Sequence, residues 1–109
     1  MPGKNSSSIK YWPEDERPRE RLIKYGSNSL SDAHLLGILI GSGDRRAKKN
    51  AVDLSRDLLN VFGSLENLDQ ASVTEMCQVK GIGSAKAAQI KAALEVGKRM
   101  ASKPADIKN

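Results

Sequence analysis

At 109 residues, with a formal net charge of +5, one cysteine and 4% aromatic residues, the chain is sized for one small domain with an aliphatic core. A lone cysteine excludes an internal disulfide and fits a reducing, cytoplasmic setting. No apolar run approaches the roughly 18 residues of a membrane span and no signal-peptide pattern is present, so no membrane role is expected.

In chain order, residues 1–8 are polar and read as a disordered leader. Ile9 to Pro18 reads as an extended approach, because Trp12 precedes a proline and Pro18 interrupts a second time. A short helix is expected over Arg19 to Tyr25, closed by Gly26, and Ser31 is placed to cap an apolar helix from Asp32 to Ile40. With apolar residues on nearly every side, that helix should be central. Asn50 should cap the next helix, whose Ala51, Leu54, Leu58 and Val61 fall on one face before Gly63 ends it. Ser64 to Leu68 reads as a single connecting turn. Ser72-Val73-Thr74-Glu75 has the pattern of a capping box opening a short helix through Val79. A last helix runs from Ala85 to about Ala101, with Ala87, Ile90, Leu94, Gly97 and Ala101 as its core stripe, and 102–109 form a polar tail or linker. No segment alternates like a strand, so the fold class is all-α, with 9–101 as the folded domain.

The most informative stretch is Val79-Lys80-Gly81-Ile82-Gly83-Ser84-Ala85-Lys86-Ala87. A helix N-terminus leaves amides unpaired and carries partial positive charge, so it holds anions readily. Glycines just ahead of it let a phosphate approach without meeting a Cβ. The amides of Gly81, Gly83 and Ala85, flanked by Lys80 and Lys86, are therefore the candidate phosphate site, with Ile82 turned inward to pin two helices. The alternative is a tight interhelical turn whose glycines only permit positive φ.

The chain also repeats itself. Leu39-Ile40-Gly41-Ser42-Gly43 matches Val79-Lys80-Gly81-Ile82-Gly83, and Ala51-x-x-Leu54 matches Ala87-x-x-Ile90, with four more residues in the first copy. Asp44 stands where a phosphate would sit in that copy, and the insertion moves the next helix away. Gly41, Gly43, Arg45, Arg46, Lys48 and Lys49 are expected to give secondary contacts from a flexible basic loop. Charge supports the ranking. Residues 79–109 hold seven Lys/Arg against two Asp/Glu, while 1–36 hold six against five and 37–78 five against six. The whole excess thus lies from the second glycine turn onward, which favours a polyanion partner and adds Lys91 as a further contact.

Other chemistry-bearing residues read as structural. His34 has no partner in sequence, Cys77 falls beside Met76 and Val79 as a packed thiol, and Glu14, Asp15 and Glu16 lack companions for a metal site. Tyr11 and Trp12 are expected to pack over the core rather than stack on bases.

The unit helix, glycine hairpin, helix resembles the helix–hairpin–helix motif, which grips nucleic-acid backbones without reading sequence. Four ordered motifs resemble the N-terminal domain of the RadC-like family: Pro13 to Leu22, Leu30 to Leu36, Phe62 to Leu65 and Val79 to Ala87. Phe62 to Lys86 is also similar to the tandem hairpin domain of UvrC-type excision nucleases. The resemblance implies a DNA repair-associated protein whose zinc metalloprotease-like domain, of the JAB1/MPN type, follows this region. It also implies a K⁺ or Na⁺ at the backbone carbonyls of Cys77, Val79 and Ile82. A catalytic zinc takes three protein ligands, and one histidine is present. The chain is therefore expected to be non-enzymatic, and to be either a natural hairpin-only form or a piece cut after Asn109 from something longer. The reading is a tandem helix–hairpin–helix domain, its first hairpin degenerate, binding duplex or branched DNA through the backbone. The competing reading is a protein-interaction module docking the family's metalloprotease-like domain.

Overall fold

The computed structural model describes residues 8–102. The leader and tail expected from the sequence fall largely outside this range. Among the described residues the regular structure is helical: α1 (Pro18–Tyr25), α2 (Asp32–Ile40), α3 (Ala51–Phe62), α4 (Leu65–Gln70), α5 (Val73–Met76) and α6 (Ser84–Ser102), with short 3₁₀ turns at Ile9–Tyr11, Glu14–Glu16 and Ser27–Ser29. The β-type pairing among these residues is an isolated bridge between Asp44 and Lys49. The fold is all-α.

The helix starts follow from local chemistry. Ser31 Oγ accepts the His34 amide, Asn50 and Asp53 close a reciprocal capping box on α3, and Ser72 and Glu75 do the same on α5. Pro18 sits at the first turn of α1, where its missing N–H costs nothing, so it opens this helix rather than blocking it. Gly26, Gly41 and Gly63 end α1, α2 and α3 with positive φ.

α2 packs most extensively on α3 and also meets α1 and α6, which makes it central as its composition requires. The core joins Leu36 and Ile40 of α2 and Leu54 and Leu58 of α3 to Leu68, Met76, Ile82, Ala87 and Ile90. Both halves of the chain therefore build one core, and no half has its own. Ile82, 3% exposed, turns inward as expected of the hairpin tip.

Several sequence expectations are corrected. The approach through Ile9–Pro18 is not simply extended, because two 3₁₀ turns flank the extended Trp12 and Pro13. The stretch after Gly63 is a full helix, α4, capped by Ser64 and held by Leu68, which is wholly buried. α5 stops at Met76 instead of Val79, and Gln78 and Val79 donate 3₁₀-type bonds to Glu75 and Met76 carbonyls. Val61 is 64% exposed and Ser55, with its hydroxyl donating to the Ala51 carbonyl, takes an inner position on α3 instead. On α6 only Ala87 and Ile90 are buried, Leu94 is partly covered, and Gly97 and Ala101 face solvent. The helix outruns the core that supports it.

Candidate functional site

The two glycine pairs have the same backbone signs. Gly41 (φ 84°) and Gly81 (φ 92°) are left-handed, whereas Gly43 and Gly83 lie outside that region. Their surroundings are opposite. A Cβ on Gly43 would stand 2.0 Å from the Lys49 carbonyl oxygen and 2.6 Å from Asn50 Cα, while one on Gly83 would meet nothing within 4 Å. A Cβ on Gly81 would stand 2.7 Å from Leu54 Cδ2 and 3.1 Å from Asp44 Oδ2, while Gly41 has open space. The first three glycines are explained by backbone geometry or by packing. Gly83 is required by neither.

What Gly83 does is leave the start of α6 bare. Its carbonyl accepts the Ala87 amide, so the amides of Ser84, Ala85 and Lys86 lie ahead of the helix's own ladder. The α3 start offers no such opening, because Asn50 Oδ1 takes the Asp53 amide at 2.8 Å and Asp53 Oδ2 takes the Asn50 amide at 3.0 Å. Lys80 is exposed and Lys86 half-buried, and among the described residues neither ammonium is in an ion pair. Gly81, Gly83, Ala85, Lys80 and Lys86 thus do come together at one turn. The Val79 carbonyl already accepts the Ile82 amide at 3.0 Å, while those of Cys77 and Ile82 accept no turn bond. Among the described residues no cluster of three His, Cys, Asp or Glu side chains is placed to hold a metal.

The other predicted contacts separate. Lys91 is not free for a ligand: its ammonium donates to the Asp69 and Ala71 carbonyls, each at 2.7 Å, and so closes the C-terminal end of α4. Lys98 pairs with Asp69 at 3.2 Å and with Glu95 at 3.4 Å, and Arg99 pairs with Glu95 at 3.0 Å. The Asp69 carboxylate beside Lys98 holds that ammonium above its usual range. Of the five Lys/Arg of this segment among the described residues, Lys91, Lys98 and Arg99 are therefore committed within the fold, and Lys80 and Lys86 are not. Lys49 likewise bonds Asp57 at 2.6 Å, which raises its pKa.

The loop between α2 and α3 is a closed turn rather than a flexible excursion. Asp44 and Lys49 exchange two backbone hydrogen bonds of 2.8 and 3.1 Å, Lys48 adopts φ 56°, and Asp44 Oδ1 accepts the Arg46 amide at 3.0 Å. Arg45, Arg46 and Lys48 are left exposed on it.

His34 is half-buried, and desolvation together with the Arg56 and Arg21 charges lowers its pKa below the ordinary value. Cys77 is a partly covered thiol packed against the core. Tyr11 is exposed under the Lys10 ammonium, so of the two N-terminal aromatics only Trp12 is even half-covered.

An all-α domain with two glycine-turn units sharing one core is the class that fold and turn define. The chain belongs to the UPF0758 N-terminal family, the N-terminal part of RadC-like UPF0758 proteins, which matches residues 9–88. It is 54% identical over 94 residues to a UPF0758 protein of Geotalea uraniireducens, covering 86% of this chain and 41% of that one. A UPF0758 protein of Geobacter sulfurreducens is 52% identical over 97 residues, 89% of this chain and 42% of its own length. One from Coprothermobacter proteolyticus is 53% identical over 91 residues, 84% of this chain and 38% of its own length. The chain thus spans about two-fifths of these curated relatives. No solved structure matches it.

Proposed function

We propose that this domain binds the backbone of duplex or branched DNA, without reading sequence, at the Gly81–Lys86 turn. The observation that carries the reading is Gly83: a glycine that neither φ nor packing demands, placed where a side chain would cover the bare start of a 19-residue helix. Lys80 and Lys86 would add charge-assisted contacts to the same phosphate. Such contacts position a duplex but carry no base information. The resemblance to helix–hairpin–helix and UvrC-type hairpins supports this reading, as does the matched backbone of the two glycine pairs. A K⁺ or Na⁺ at the carbonyls of Cys77, Val79 and Ile82 would fit the same picture, bridging turn and phosphate. On this reading the domain is a non-catalytic, DNA repair-associated module of a cytoplasmic RadC-like protein.

The test is a titration of labelled DNA at several salt concentrations with the natural chain and with Gly83→Val. Three to five phosphates contacted give a slope of log K against log salt of roughly −3 to −4. Gly83→Val should keep its fold, since beyond its chain neighbours no atom lies within 4 Å of the new Cβ, and should lose roughly tenfold in affinity. A folded variant that binds as well as the natural chain removes this turn from the mechanism.

One observation favours a second reading, docking to another protein domain such as the zinc metalloprotease-like domain of the full-length family. Val96 and Met100 are 60% and 75% exposed and lie on one face of α6 beyond the core. Absence of DNA binding even at low salt would leave that reading in place.

A further inference from the structure

A groove of about 1030 Å³ lies away from the second glycine turn. It runs between the N-terminal segment with α1 and the first glycine turn with its closed loop. One wall carries Lys10, Arg17 and Arg19, the other Arg45, Lys48 and Lys49, against only Glu20 and Asp44 as carboxylates. Lys49 is neutralised by Asp57, and Arg17 donates its Nε–H to the Trp12 carbonyl at 3.0 Å, which leaves its terminal nitrogens available. Lys10, Arg19, Arg45 and Lys48 are exposed, and among the described residues no carboxylate pairs with any of them. The amides of Ser42 and Gly43, residues that also line the groove, have no hydrogen-bond partner among the described residues.

We propose that this groove seats a stretch of nucleic-acid phosphodiester backbone, as a second contact surface beside the Gly81–Lys86 turn. The inference rests on the DNA-binding reading above and adds to it where most of the binding charge sits. Cations on both walls call for an occupant with negative charge repeated along its length. No aromatic side chain lines the groove, so nothing there stacks a base and a free nucleotide lacks half its recognition. Unpartnered amides at Ser42 and Gly43 suit a phosphate oxygen, because each offers a donor at no cost of breaking another bond. The groove also adjoins the second turn. Asp44 lines it, and the same carboxylate reaches Gly81, so a strand leaving the groove passes directly to the other site. The segment charges conceal all this, since residues 1–36 are nearly neutral as a sequence while Asp15 faces away to pair with Lys24.

The experiment uses a triple variant, Lys10→Gln, Arg19→Gln and Arg45→Gln, all at exposed positions, beside Gly83→Val and the natural chain. Binding of a short duplex is read from the salt slope and from amide shifts in ¹⁵N–¹H correlation spectra. The expected result is a slope falling from about −4 to about −2 and at least a tenfold loss of affinity at low salt. Duplex should move the Ser42 and Gly43 amides in the natural chain and in Gly83→Val alike. Shifts confined to Gly83–Lys86, or a triple variant that binds like the natural chain, overturn the groove and leave the DNA-binding reading standing. Failure of the natural chain to bind duplex at all overturns both. A parallel arm uses inorganic tripolyphosphate: saturation of the Ser42 and Gly43 shifts at micromolar concentration with no competition from duplex assigns the groove to a free phosphate anion and overturns the proposal.

Discussion

The two glycine turns share a backbone and differ in what each glycine is for. In the first the fold demands both, Gly41 for its left-handed φ and Gly43 because the Lys49 carbonyl occupies the place of its Cβ. In the second, Gly81 is the demanded one, held by left-handed φ and by Leu54 and Asp44, while Gly83 stands free. The helix after the first turn is closed by its own Asn50 and Asp53, and the helix after the second is open. A repeated motif therefore carries different work in its two copies: one turn closes a loop and walls a groove, and the other leaves the start of a long helix open. Similar glycine spacing alone does not identify what surrounds each turn.

The sharpest way to break this comparison is to add one methyl group to each turn. Gly43→Ala drives a Cβ into backbone that cannot yield as a flexible side chain would, and should cost about 3 kcal/mol or prevent folding. Gly83→Ala should leave the thermal midpoint within a few degrees of the natural chain, read from the same melts. Equal losses in the two variants would mean that the second turn is as constrained as the first. A smaller effect is expected for Lys91→Met, which removes two charge-assisted bonds to the end of α4. Denaturant unfolding should show a loss of about 1–2 kcal/mol. DNA affinity measured on the folded variant should stay nearly constant, and a drop in affinity with stability unchanged would return Lys91 to the binding surface. The smallest effect belongs to Asp44→Asn. The amide oxygen keeps the acceptor for Arg46 N–H while the negative charge between the two candidate surfaces disappears. DNA titration should show affinity rising a few-fold, and an unchanged constant would place the bound duplex away from both turns.

Much of the fold was legible because it is written in short-range chemistry. Ser31, Asn50 and Ser72 announce helix starts within three or four residues, and Gly26, Gly41 and Gly63 announce ends. α4 was missed because Asn67, Asp69 and Gln70 are unpersuasive as a helix until Leu68 is buried beneath them. The stripe on α6 was overextended because periodicity says which residues share a face, not where the neighbouring helices stop. The Gly81–Lys86 turn was legible as one contiguous run. The groove was not, because Lys10, Arg17 and Arg19 meet Arg45 and Lys48 only through the packing of α1 and α2. The destination of Lys91 was likewise hidden, since the carbonyls that it closes lie 20 and 22 positions earlier.

Gln89 Nε2 donates to the Leu39 carbonyl at 2.7 Å across 50 positions of chain. That bond joins the last helix to the end of α2, while Leu54 from the first unit fills the space above Gly81 in the second. Neither repeat can thus be completed until the other has arrived, so the duplication has not produced two independently melting parts. A break in the chain near Gly63 would strand half of one interior on each fragment. The repeat is built as one interior, closed by a contact between residues 50 positions apart in the chain.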